Sequence, residues 1–69
     1  MRFDTSLWER EHGKKPSGRR KWRFRIVSTR ITLRDYEFVT ETAVTFPAAC
    51  KIAIKKARLR RSDQVVLLP

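Results

Sequence analysis

From Trp22 to Ile26 the chain alternates a large apolar side chain with arginine: Trp22-Arg23-Phe24-Arg25-Ile26. Successive side chains of a strand point to opposite faces, so this run sets Trp22, Phe24 and Ile26 on one face and Arg23 and Arg25 on the other. Such a strand belongs to a sheet with one covered and one solvated face. The rest of the chain must supply the cover, and 69 residues leave room for one thin core rather than a multilayer enzyme with a deep pocket.

The cover is expected from Ala48 to Arg61, an alanine-rich stretch without Gly or Pro. Thr45 is a suitable N-cap, and Pro47 fits the first turn, where its missing N–H is not needed. At helical spacing Ala49, Cys50, Ile52, Ala53, Ile54 and Ala57 share one face, opposite Lys51, Lys55 and Arg58. Arg58, Arg60 and Arg61 in the last turn suit the carbonyl end of the helix dipole.

Asp35 to Thr45 is rich in Thr, Val and aromatics and reads as strand. Its parity sets Tyr36, Phe38, Thr40 and Thr42 against Glu37, Val39 and Glu41, so Glu37 and Glu41 are expected to meet Arg23 and Arg25 across the sheet. Phe3 to Glu11 reads as a further strand, with Trp8 of opposite parity to its neighbours and hence the aromatic expected to be exposed. Residues 12–20 hold both glycines and one proline and read as an exposed basic loop between two strands. Arg30 to Arg34 reads as a short polar connection, and Val65 to Leu68 as either a final strand or core padding. Residues 1–69 thus predict one α+β domain: an antiparallel sheet of three strands, with a fourth if the tail joins, against one C-terminal helix.

Net charge narrows the function more than any motif does. The chain has 17 Lys or Arg against 7 Asp or Glu, a formal net charge of +10, and its 41% hydrophobic content excludes a wholly disordered polybasic tail. Lys14, Lys15, Arg19, Arg20, Lys21, Arg23 and Arg25 follow one another without an intervening acid. Bases on a loop and strand neutralise phosphates and release counterions, so nucleic acid, DNA or RNA, is the expected partner. Arg58, Arg60 and Arg61 are auxiliary candidates. The alternative reading is a small adaptor or inhibitor docking on an acidic protein surface, with Trp8 or Val65 to Leu68 as apolar anchor. A membrane is disfavoured because the apolar helix face is mostly small Ala.

Catalytic and cofactor chemistry lack parts. His12 and Cys50 are far apart in sequence, too few and too distant for a zinc site, and neither has the neighbours of an activated nucleophile. Gly13 and Gly18 have phosphate-loop spacing, but Arg19 and Arg20 stand where Lys and Ser/Thr are required. No enzyme activity, cofactor or metal is expected. The lone Cys50, with no apolar run of signal-peptide length, points to the reducing cytoplasm.

The strand pattern Trp22-x-Phe24-x-Ile26, followed by Thr45-Phe46-Pro47-Ala48-Ala49-Cys50-Lys51-Ile52-Ala53, resembles the three-stranded sheet plus helix of AP2-type and integrase arm-binding DNA domains. The resemblance spans about Lys21 to Arg61. It implies that the open sheet face enters the major groove, with Arg23 and Arg25 touching bases and phosphates.

Overall fold

The computed structural model describes residues 1–30 and 34–69, so the middle of the connection around Arg30 to Arg34 lies outside the described residues. Along the chain run β1 (Arg2–Asp4), α1 (Ser6–His12), β2 (Arg19–Arg20), β3 (Arg23–Ile26), β4 (Tyr36–Val39), β5 (Val44–Thr45), α2 (Phe46–Leu59) and β6 (Gln64–Leu68). The main sheet has four strands in the order β1-β6-β3-β4, and β2 and β5 form a separate two-stranded ribbon. The protein is α+β, as expected, but its sheet is mixed: β6 pairs antiparallel with β3 and parallel with β1. Among the described residues, no helix is long and apolar enough to cross a membrane.

The alternation of β3 has the predicted consequence. Trp22, Phe24 and Ile26 are at most 1% exposed, and they share one cluster with Phe38, Val65, Leu67, Trp8 and Ala49, Ala53 and Ala57. Both helices add side chains to that cluster, so both lie on one face of the sheet. The small-residue stripe of α2 lets its backbone approach the large rings of the strands. Phe24 stacks on Phe38 with centroids 5.5 Å apart, and Trp22 meets Phe46 at 5.2 Å. The opposite face, with Arg2, Arg23, Arg25, Glu37 and Val39, is left to solvent.

The N-terminal segment departs from the single strand expected of it. After three residues of β1 the chain turns into α1, because Asp4 accepts from the Ser6 backbone N–H at 2.9 Å and the Ser6 hydroxyl at 2.6 Å. Those two bonds hold the Asp4 carboxyl below the usual carboxylate range. Thr5 donates to Glu9, and Gly13, in the left-handed region at φ 69°, closes the helix with a bond to Glu9 O. Trp8 therefore swings inward and is 2% exposed, not the exposed aromatic its parity in a strand implies.

The strand expected from Asp35 to Thr45 is two. It leaves the main sheet at Thr40, whose buried hydroxyl accepts the Trp22 N–H at 2.9 Å, and resumes as β5 beside β2. α2 then starts at Thr45, which caps Ala48 N as expected.

At its far end α2 closes in a Schellman motif: Ser62 N–H bonds Ala57 O at 2.9 Å and Arg61 N–H bonds Arg58 O at 3.1 Å. Arg61 takes the left-handed conformation this motif requires, at φ 54°. The buried Ser62 hydroxyl donates to Val27 O at 2.6 Å and accepts from Gln64 N at 3.3 Å, fastening the helix exit to β3 and β6. Ser62→Ala orphans both groups and should cost about 1–2 kcal/mol in a denaturant titration; a change under about 0.3 kcal/mol would show that water replaces the hydroxyl.

Candidate nucleic-acid interface

The bases singled out in the sequence fall into three groups. Lys14 and Lys15 are exposed on the connection between α1 and β2. Gly18, at φ 80°, turns the chain into β2, where Arg19 pairs with Thr45 and Arg20 with Val44. The basic loop thus follows a helix rather than a strand, and its end is pinned beside the N-terminus of α2. Lys21 is exposed just beyond it.

Arg20 differs from its neighbours. It is half-buried, with its guanidinium carbon 5.2 Å from the Trp8 ring and 5.4 Å from the Trp22 ring. That cation–π seat makes Arg20 part of the packing as well as of the charge. His12 stacks on Trp8 at 3.9 Å, and its Nδ1 lies 2.9 Å from Trp8 O, so that nitrogen carries a proton it donates to the carbonyl.

Arg23 and Arg25 form the second group, on the open sheet face. Both reach Glu37, at 3.5 Å and 3.2 Å, the only ion pairs among the described residues. Arg25 faces Glu37 in register, as the parity implied. Glu41 does not join them: the chain has left the sheet by then, and its side chain is exposed without an ion pair. These pairs are solvated and add little to stability, but they offset the charge of both arginines.

The third group is at the other end of the molecule, where α2 closes. Arg60 sits over Tyr36, its guanidinium carbon 3.6 Å from the ring centroid, and donates to Lys56 O at 3.1 Å. Arg58 and Arg61 are exposed beside it. Two shallow clefts meet here. One, of about 290 Å³, is lined by Ser28, Arg30, Arg60 and Arg61; the other, of about 370 Å³, by Ser28, Arg34, Asp35 and Arg60. Loop and helix end therefore stand at opposite ends of α2, about 20 Å apart along its axis, with Lys51 and Lys55 exposed between them. Arg30 and Arg34 were missed as candidates because they read as a polar connection. The available signal was that no acid occurs between Glu11 and Asp35.

Cys50 is half-buried on α2, and burial pushes its thiol pKa up from 9.0. It should react with iodoacetamide at neutral pH more slowly than a free thiol and reach the free-thiol rate only on denaturation; an equal rate in the native protein would contradict the burial. Among the described residues, no three His, Cys, Asp or Glu side chains come together as a metal site. Compared with known proteins, the chain matches no family model, and neither a curated protein nor a solved structure proves similar to it.

Proposed function

We propose that this chain is a non-catalytic nucleic-acid-binding accessory protein of the reducing cytoplasm that grips the phosphate backbone with the loop over 12–20 and the strand residues after it. One observation carries the reading: Lys14, Lys15, Arg19 and Lys21, all within eight residues of sequence, are exposed and have no ion-pair partner among the described residues. Cations arranged this way release counterions when they meet phosphates. Docking of the open sheet face in a groove, which the resemblance to AP2-type domains implies, would need Arg23 and Arg25 to give up Glu37. The loop carries no such cost, so it is the primary contact.

Fluorescence-anisotropy titration of labelled duplex DNA, single-stranded DNA and RNA at two salt concentrations, with heparin as polyanion control, tests the proposal. Preference for one nucleic acid that persists at physiological salt supports it. Weak binding to all four that vanishes with salt overturns it.

A second reading, docking on an acidic protein surface, is favoured by one feature. Val39 and Ile52 are exposed around a groove of about 450 Å³ between β4 and α2, and Lys56 sits over Phe38 within it. Capture that survives nuclease treatment and is lost in Val39→Asp would support this reading.

A further inference from the structure

We infer that Arg30, Arg34, Arg60 and Arg61 form a second phosphate-binding site, and that the protein joins two nucleic-acid segments; this rests on the reading under Proposed function. The four arginines flank β3 and β4 on one side and end α2 on the other, and they line two clefts that share Ser28 and Arg60, with Arg30 and Arg61 in one and Arg34 in the other. None has an ion-pair partner among the described residues. One carboxylate, Asp35, lines the second cleft; its Oδ1 accepts the Ser28 N–H at 2.7 Å, and it is one acid against four arginines. Asp63 follows nearby in sequence, exposed and unpaired with Arg61.

The helix dipole explains a cation or two at this end, and Arg60 fills that role through its bond to Lys56 O. It does not explain Arg30 and Arg34, which belong to another element. Nor does it explain Arg61. That residue occupies the one position of the Schellman motif where glycine is the usual choice, because a side chain strains the left-handed backbone. The Arg61 side chain is exposed and forms none of the described hydrogen bonds, so packing does not require arginine there. A strained residue kept without a packing reason points to use of its side chain.

The position of this site leaves room for a second segment. The molecule is 34 Å long, with the loop bases at the start of β3 and this cluster past its end. Between them the open face holds Glu37 and Asp4, and Glu37 offsets Arg23 and Arg25. One segment lying along the open face would run over those carboxylates, and one following α2 would meet the exposed Lys51, Lys55 and Arg58 instead; the stoichiometry of energy transfer tells that path from two segments held one at each end.

The test mixes short duplexes carrying donor and acceptor fluorophores with the full chain. Energy transfer should peak near one protein per two duplexes and fall when protein is in excess, because each duplex then binds its own copy. The triple variant Arg30→Gln, Arg34→Gln, Arg61→Gln should abolish transfer yet bind a single labelled duplex within about threefold of wild type, its loop being intact and still supplying the counterion-release affinity. Arg61→Gly separates structure from binding: the melting temperature should rise as strain is relieved while transfer weakens. Transfer by the triple variant equal to wild type would mean that copies associate through protein contacts and would overturn the inference. So would wild-type binding without transfer at any ratio, which leaves the proposed function standing. Failure of the wild type to bind nucleic acid at all would remove both.

Discussion

Trp22→Ala should leave most of the chain unfolded in buffer, as a loss of cooperative melting by far-UV circular dichroism. Truncating a buried Trp costs about 3–5 kcal/mol, and a chain of 69 residues has only about 3–10 kcal/mol in total. Trp22 is 1% exposed and touches every part of the fold near the loop. Its ring meets Trp8 of α1 at 5.6 Å and Phe46 of α2 at 5.2 Å, its Nε1–H donates to Val44 O at 2.8 Å, and Arg20 sits over it. The substitution therefore opens a cavity, orphans a carbonyl and removes half the seat of the half-buried Arg20 at once. Trp22→Phe keeps most of the packing and should cost less, near the 1–3 kcal/mol of a buried group left unbonded. The control is Val39→Ala on the exposed edge strand, which should stay within about 0.5 kcal/mol of wild type. A folded Trp22→Ala protein that had lost under about 1 kcal/mol would refute the central place of this residue in the packing.

The second large effect concerns binding. Lys14→Ala, Lys15→Ala, Arg19→Ala and Lys21→Ala together should lower the slope of log affinity against log salt by up to about 3.6, since each lost duplex phosphate contact removes about 0.9. Arg20 is left out deliberately. Its guanidinium rests against Trp8 and Trp22, so removing it would disturb the core and confuse loss of contact with loss of fold. The four replaced residues are exposed, so the melting temperature should stay within a few degrees of wild type. An unchanged salt slope in the folded variant would move the interface elsewhere, first to Arg23 and Arg25.

These two outcomes depend on features of unequal visibility in the sequence. The core role of Trp22, Phe24 and Ile26 and the solvated position of Arg23 and Arg25 follow from alternation, because the pleat of a strand imposes that period whatever its neighbours are. The cap at Thr45 and the alanine face of α2 are equally local. α1 is hidden for a local reason too: a helix this short with a single buried residue, Trp8, has no periodicity to read, and its signals are only Asp4, Thr5 and Gly13 at its ends. The tail shows another kind of silence. Val65-Val66-Leu67-Leu68 does not alternate because β6 is flanked by strands on both edges and buries Leu68 as well as the inward Val65 and Leu67, so its pattern cannot distinguish a central strand from padding.

The candidate interface divides in the same way. The run of bases from Lys14 to Arg25 is a property of the chain and was evident at once. Which of them are free is a property of the fold: Glu37 engages Arg23 and Arg25, the tryptophans seat Arg20, and the loop keeps the rest exposed. The gathering of Arg30 and Arg34 with Arg60 and Arg61 had no signal at all in local sequence, since it joins segments far apart along the chain.

By itself, then, the sequence determined the faces of its best strand, the start of its long helix and the sign of its surface charge, because each of these depends on nearest neighbours and fixed periods. Only the tertiary structure decided that β6 enters the middle of the sheet parallel to β1, that Trp8 is core, and that the bases separate into two ends. Those outcomes follow from which distant segments pack together, and no short window of residues contains that information.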